Sequence, residues 1–242
     1  MIKKIALSSF ASVILLSQVA NAEIKVAGGS LSFTAGIMSQ YLWRGLDQND
    51  DRSSPYASVD FTRPIGPVDF YAGIWSAAAG GNGAAYTREE NYYGGIKKTF
   101  GPASFDVGLV SIKYNSGNTA STPINSVEGY IKVNVAPEKS PFTIGAQYVQ
   151  NDSGGNTSGT VKDAQETYQE INGTYDVKFA VLGISYGEFK EETDVTTLTV
   201  TKPIFDVNFV AAYVNADRAN TSSSTLGNKN REYLTLTASK TF

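Results

Sequence analysis

The chain contains no cysteine and no histidine. Without cysteine there is no disulfide framework, and no thiolate to act as nucleophile or metal ligand. Without histidine the Ser-His and Cys-His pairs, Asp-His activation of water and the commonest zinc ligand all fall away. Long apolar runs are missing too. Beyond the first 22 residues no segment approaches the ~20 apolar residues a spanning helix needs. A basic footprint for nucleic acid is also absent, since the net charge is −3 at pH 7. The run "GGNG" at 80–83 has no helix after it to cradle a phosphate, so it reads as loop. The carboxylate pairs Glu89-Glu90 and Glu191-Glu192 sit at loop edges with no partner for catalysis. An enzyme is therefore not expected, and no cofactor or metal is called for.

What is present starts with "MIKK", a short basic segment, followed by the apolar "IALSSFASVILLSQVA". Ala20-Asn21-Ala22 then forms a small-x-small cleavage site. This pattern predicts a secretory signal peptide over 1–22 and a mature domain over 23–242. Lys3 and Lys4 leave with the leader, so the mature domain is the more acidic part.

The mature domain is rich in Gly, Thr, Ser, Tyr and Asn, and alternation replaces helical periodicity. Twelve strands are expected, at 30–43, 55–63, 68–78, 90–100, 103–114, 125–135, 141–151, 166–176, 178–187, 194–202, 206–216 and 231–242. Their connections alternate in character. Tight turns such as "PIGP", "GP", "APEKS" and "PIF" alternate with long polar loops such as "NDSGGNTSGT". Short turns at one end and long loops at the other mark a transmembrane β-barrel, and strands of 9–11 residues match a tilted crossing of the bilayer. The expected fold is thus all-β, an antiparallel up-and-down barrel closed by its first and last strands. A soluble secreted β-sandwich is the competing fold.

The faces agree with this. Val68, Phe70, Ala72 and Ile74 alternate with Asp69, Tyr71, Gly73 and Trp75. Phe142, Ile144, Ala146 and Tyr148 alternate with Thr143, Gly145 and Gln147. The apolar phase is expected to face lipid. Its few charges, Arg63, Lys98, Lys202 and Lys240, stand near the tight turns or the C-terminus, where a long cationic stem can snorkel. Phenylalanines (Phe33, Phe61, Phe70, Phe100, Phe105, Phe142, Phe179, Phe205) gather at the tight-turn end. Tyr41, Trp43, Tyr56, Trp75, Tyr92, Tyr114, Tyr148, Tyr168, Tyr186, Tyr213 and Tyr233 gather at the long-loop end. Two interfacial girdles are expected. Tyr71, Tyr175 and Phe189 break the sorting.

The polar phase supplies the candidate pore lining: Arg44, Asp60, Lys97, Asp106, Glu128, Tyr130, Lys132, Gln147, Glu170 and Asn172, with Asp69, Asp176 and Asp206 near the tight-turn mouth. Such groups either line an ion path or pair up and fill the interior. The excess of acids predicts a weak preference for cations. Arg44 admits two readings, a cationic constriction or a structural arginine paired with a carboxylate. The acidic run with Asp47, Asp50 and Asp51 reads as a solvated loop, with a divalent-cation site as the rival.

"SQYLWRGLDQ" carries Ser39, Tyr41, Arg44, Gly45 and Gln48 in the spacing S-x-Y-x-x-R-G-x-x-Q, followed by "FYAGIWSA" and "EENYYGG". This series resembles the TorF-type porin family of proteobacteria. The resemblance implies a small Gram-negative outer-membrane barrel with a channel role, exported through the periplasm. The last strand, ending on Phe242, resembles the assembly signal of outer-membrane barrels. That likeness implies recognition by the barrel-assembly machinery. The partners expected are therefore that machinery, outer-membrane lipid and lipopolysaccharide, and small polar solutes, with no nucleic acid. The alternative is a non-conducting barrel that acts through its surface loops.

Overall fold

A computed structural model describes residues 24–80, 86–115, 125–152, 166–189, 193–218 and 231–242. The expected leader lies outside these residues, as do most of "GGNG", Glu191-Glu192 and much of the long loops. In chain order the strands are β1 (Ile24–Val26), β2 (Gly29–Met38), β3 (Leu42–Trp43), β4 (Leu46–Asp47), β5 (Ser54–Ile65), β6 (Val68–Ala78), β7 (Arg88–Phe100), β8 (Ala103–Asn115), β9 (Asn125–Val135), β10 (Phe142–Asp152), β11 (Glu166–Asp176), β12 (Val181–Phe189), β13 (Thr193–Ile204), β14 (Val207–Arg218) and β15 (Arg231–Thr241).

From β5 to β15 each strand pairs antiparallel with the next, and β2 pairs with both β5 and β15. The result is a closed twelve-strand up-and-down barrel. At the seam Thr34 to Met38 pair with Thr241 to Thr237, and Phe33 and Phe242 exchange both backbone hydrogen bonds at 3.0 and 2.7 Å. Below that point β1 takes over the same edge of β2, pairing Ile24 with Leu31. No part of this edge is left bare.

The turns follow from local chemistry. Gly66-Pro67 and Gly101-Pro102 are two-residue hairpins with the glycine at positive φ, 57° and 52°. Between β13 and β14 the turn is Phe205-Asp206, both at positive φ. The sequence suggests "PIF" as this turn, but Pro203 and Ile204 still pair with Asn208 and Val207. A larger departure concerns the first strand, expected over 30–43. It stops at Met38 because Ser39 ends the ladder. The Ser39 amide donates to the Leu236 carbonyl, while the Leu236 amide donates to the Ser39 hydroxyl instead of a backbone oxygen. Residues 40–43 then leave the wall.

The side chains are arranged inside out. Each wall strand exposes an apolar residue on its outer face, such as Ile37, Val59, Ile74, Ile96, Leu109, Ile131, Ile144, Ile171, Ile184, Leu198, Phe209 and Leu236. Leu234 is 77% exposed and Ile171 64%. The inward face is polar and aromatic, and mostly buried.

The aromatic sorting needs a correction. Phe100, Phe105, Phe142, Phe179, Phe205 and Phe242 do form an exposed ring at the tight-turn end. At the other end only Tyr92, Tyr148, Tyr186 and Tyr213 are exposed. Tyr41, Trp75, Tyr168 and Tyr233 are buried, and Trp43, Tyr56 and Tyr114 pack partly buried against the same interior cluster. Alternation decides which aromatics point out, whatever their height on the strand.

Several inward tyrosines lie flat over a glycine of the adjacent strand. Tyr71 faces Gly95, Tyr93 faces Gly73, and Tyr130 faces Gly108, each as a direct cross-strand pair. A Cβ on Gly108 would stand 2.4 Å from the Tyr130 hydroxyl and 2.7 Å from that of Tyr71. A Cβ on the outward Gly129 would meet only Leu109 Cδ2, at 3.5 Å. Gly108→Ala is therefore expected to destabilise the barrel by about 1–3 kcal/mol, as overpacking does. Gly129→Ala should be close to neutral. Urea unfolding of both variants in detergent micelles checks the contrast, and equal effects would contradict it.

Candidate functional site: a hairpin docked inside the barrel

After Ser39 the chain folds back as a small hairpin. Trp43 pairs with Leu46 and Leu42 with Asp47. The two residues between, Arg44 and Gly45, both have positive φ, 49° and 75°. That is the type I′ turn whose twist suits a two-residue hairpin, and it makes "RG" the tip. Gly45 is required for space as well. A Cβ there would lie 2.7 Å from Ala216 Cβ and 2.9 Å from Val195 Cγ2, on β14 and β13.

The hairpin touches inward side chains of eight of the twelve wall strands. Tyr41 donates to both oxygens of Glu89 at 3.1 Å and stacks edge-on against Trp75 at 5.4 Å. Leu42 packs on Val195, Ala212, Val214 and Tyr233. Arg44 donates from Nη1 and Nη2 to the two oxygens of Glu128, both at 2.8 Å. Its guanidinium also lies 4.2 Å from the Trp43 ring, 4.6 Å from Tyr168 and 5.6 Å from Phe189. Contacts with strands on all sides mean that the hairpin crosses the lumen.

The return arm is held equally well. The Gln48 amide donates to the Tyr41 carbonyl at 2.8 Å, and the Gly80 amide to the Gln48 carbonyl at 2.6 Å. Asp47 accepts from the amides of Asn49 at 2.9 Å and Asp51 at 2.6 Å, and from the Gln40 side chain at 3.0 Å. Burial pushes the Asp47 carboxyl up, but these donors outweigh it and hold the group below the ordinary carboxylate range. Its oxygens are engaged by the loop's own donors.

Below the hairpin, charged groups form a row along one line of cross-strand pairing. Asp69 faces Lys97, Lys97 faces Asp106, Asp106 faces Lys132, Lys132 faces Gln147, and Gln147 faces Glu170. The sign alternates over four successive strands. Aromatic rings support the cations, with Lys97 Nζ 4.5 Å from the Tyr71 ring and Lys132 Nζ 4.1 Å from Tyr130. Tyr71 donates to Asp106 and shares a hydrogen bond with the Tyr130 hydroxyl. Tyr93 donates to Asp60, which also accepts from Ser58 at 2.8 Å. Glu170 accepts from Tyr168 at 2.7 Å and Asn172 at 3.3 Å. The opposite wall differs. Inward positions of β13, β14 and β15 hold Thr197, Thr199, Thr201, Val210, Ala212, Thr235 and Ser239, all small and uncharged.

Nine of the ten sequence-derived lining residues, from Asp60 to Asn172, occupy the inward phase of the wall. Arg44 reaches the interior from the hairpin. Lys97, Asp106, Lys132, Gln147 and Glu170 share one row, Asp60 lies apart on β5, and Arg44 and Glu128 form an ion pair. Glu89, assigned from sequence to a loop edge, is only 1% exposed and belongs to the hairpin's dock. Its signal is its phase, since it shares the inward face with Asn91 and Tyr93. Asn151, Tyr168 and Phe189 are also missing from the sequence-derived set. Phe189, a phenylalanine among the tyrosines of its end, signals its inward task by breaking the sorting.

A family model described as "Bacterial protein of unknown function (Gcw_chp)" matches residues 25–242. No curated protein matches the sequence. Among solved structures, Pseudomonas aeruginosa OccD3 (OpdP) is similar at 12% identity over 91% of this chain, with a TM-score of 0.47. This chain covers 66% of that protein, just under two thirds. The β-domain of the Bordetella autotransporter Brka is similar at 11% identity, over 88% of this chain and 98% of that one, with a TM-score of 0.45. Salmonella typhi OmpF, in complex with daunomycin, is similar at 10% identity over 91% and 100% of the chains, with a TM-score of 0.41.

Two outcomes are expected of the hairpin. The chain has two tryptophans, and Trp43 lies on the hairpin while Trp75 packs against its Tyr41. Arg44→Ala strands Glu128 as a buried charge, a defect worth about 3–5 kcal/mol if nothing moves. Undocking of the hairpin relieves it. Tryptophan emission should therefore shift to the red at urea concentrations that still leave the wall folded. An unshifted spectrum would contradict the docking. The second outcome concerns acid. A depressed carboxyl stabilises the fold above its unfolded pKa and loses that contribution as pH falls through its folded value. Below about pH 4 the same red shift should begin, and in Asp47→Asn the part due to this group should vanish.

Proposed function

The chain belongs to the Gcw_chp family of bacterial proteins of unknown function, and we propose that it is an outer-membrane barrel that passes small polar solutes or ions through its lumen, with the docked hairpin as its constriction. The observation that carries the reading is the inside-out distribution of side chains. Each wall strand presents apolar side chains outward, while Asp60, Lys97, Asp106, Glu128, Lys132 and Glu170 point inward. A continuous exposed apolar belt marks a membrane-facing surface, not a soluble one. Ionisable groups held inside such a belt are costly and mark pathways. The resemblance to TorF-type porins supports the same reading, and export through the periplasm fits an outer-membrane destination.

Solutes would meet the hairpin first and the alternating row of charges next. A passage with positive and negative groups along one wall and hydroxyls along the other suits small hydrated solutes. Acids outnumber bases among the inward groups described, which supports a weak cation preference. No catalytic role is proposed. The hydroxyl-rich wall and the engaged carboxylates offer no activated nucleophile. Phe242, with its backbone at the seam, is proposed as the residue read by the assembly machinery, and the outer belt as the surface that meets lipid and lipopolysaccharide.

Planar-bilayer recording tests this. The mature domain should give small discrete conductance steps, and Arg44→Ala should enlarge them severalfold. Changing Lys97 and Lys132 together to Ser should move the reversal potential further toward cations. Absence of steps in both the parent and Arg44→Ala would mean a filled barrel that acts through its loops.

A further inference from the structure

Three wall residues, Glu128, Tyr168 and Phe189, meet the tip of the hairpin, and a fourth, Asn151, bonds to Glu128 beside them; all four are neighbours in register. Glu128 on β9 faces Asn151 on β10, and Tyr168 on β11 faces Phe189 on β12. Val149 on β10 faces Tyr168, which places the two pairs side by side. All four side chains are buried. Together they offer a carboxylate, an amide and two aromatic rings. The present occupant is the guanidinium of Arg44, held by two parallel hydrogen bonds and ring contacts. That set of contacts is what selects a planar guanidinium over an ammonium ion. Asn151 donates to Glu128 at 3.3 Å, while its buried Oδ1 has no partner among the described residues. The site thus holds an acceptor that Arg44 does not use.

The occupant is also unusual. Arg44 reaches the site at positive φ, from a loop rather than from the wall. Of the cage, only Trp43 travels with it. Withdrawal of the hairpin would leave the carboxylate, amide and both wall rings in place.

We propose that Glu128, Asn151, Tyr168 and Phe189 form a binding site for guanidinium-bearing solutes, which Arg44 fills as a built-in competitor. This rests on the reading of the lumen as a passage and adds the class of solute. A solute with a guanidinium group competes with Arg44, takes its two bonds to Glu128, and releases the hairpin. Arg44 is then both stopper and template.

The test uses the mature domain in detergent micelles, agmatine as probe and tryptophan fluorescence as readout. 1,5-Diaminopentane, a dication of similar length with an ammonium in place of the guanidinium, is the control. Arg44→Ala should give a saturable response to agmatine, with half-saturation at least about tenfold lower than in the parent, whose own arginine competes. 1,5-Diaminopentane should bind Arg44→Ala about tenfold more weakly than agmatine, lacking the planar fork. Adding Glu128→Gln to Arg44→Ala should abolish saturation. Arg44→Lys retains a cation at the tip and guards against loss of folding. Its half-saturation should fall between those of Arg44→Ala and the parent. The heat-dependent gel shift of a folded barrel is checked for each variant. Equal responses to agmatine and 1,5-diaminopentane, or a response that survives Glu128→Gln, would overturn the proposal and leave Arg44 a structural residue. Because binding is read without current, this result stands apart from the conductance test. A binding barrel that never conducts defeats the passage, and a conducting barrel that ignores agmatine defeats the site.

Discussion

A sheet that is apolar on its outer face must still give every backbone amide and carbonyl a partner. Closure is the solution in which no strand has an edge. The remainder of this structure follows from it. Twelve strands in sequence order fix which residues share a row. Alternation along each strand then fixes which side chains look inward. The lumen is thereby assembled from residues far apart in the chain, and the alternating line from Asp69 to Glu170 exists only because five neighbouring ladders are in register.

Inside the barrel two problems are solved together. Large aromatic side chains are folded down onto glycines, so that Tyr71, Tyr93 and Tyr130 lie along the wall instead of across the lumen. Their hydroxyls then reach Asp60 and Asp106, and the rings of Tyr71 and Tyr130 support Lys97 and Lys132. The wall from β13 to β15 carries one such ring, Tyr233, and otherwise offers small side chains. The apolar side of the hairpin packs there, and its polar tip points at Glu128. The hairpin fits the lumen because the two walls differ.

Much of the fold was legible in the sequence. Alternation, turn chemistry and loop lengths are local properties, and β6, β9 and β11 fall within the expected limits. Whether a strand is spent on the wall or in the lumen is not local. Residues 40–43 alternate as well as any strand, yet they fold inward, since Ser39 ends the ladder and Arg44-Gly45 turns the chain. The five residues of the S-x-Y-x-x-R-G-x-x-Q spacing show the same limit. Ser39 holds β15, Tyr41 holds Glu89, Arg44 holds Glu128, Gly45 fits against β13 and β14, and Gln48 ties the return arm to Tyr41 and Gly80. Their spacing could be seen, but their partners lie far along the chain and emerge only with the registers. The aromatic girdle at the long-loop end was overcounted for a related reason. Height on a strand says nothing about which face a ring takes.

The ladder that closes the barrel is also its shortest. Five register pairs join β2 to β15, whereas the other ladders of the wall have nine or more. It joins the most distant parts of the chain, so it carries the largest loop-closure cost. Mechanically this makes the seam a zip that parts before any other. The hairpin begins beside it. Ser39 clasps Leu236 across the gap, and Leu42 leans on β13, β14 and β15 from within. The same fifteen-residue excursion from the wall that lies across the lumen, 39–53, is therefore a brace across the weakest line of the cylinder. When the hairpin is drawn out the hoop slackens with it, so the filling of the lumen and the cohesion of the wall rest on one element.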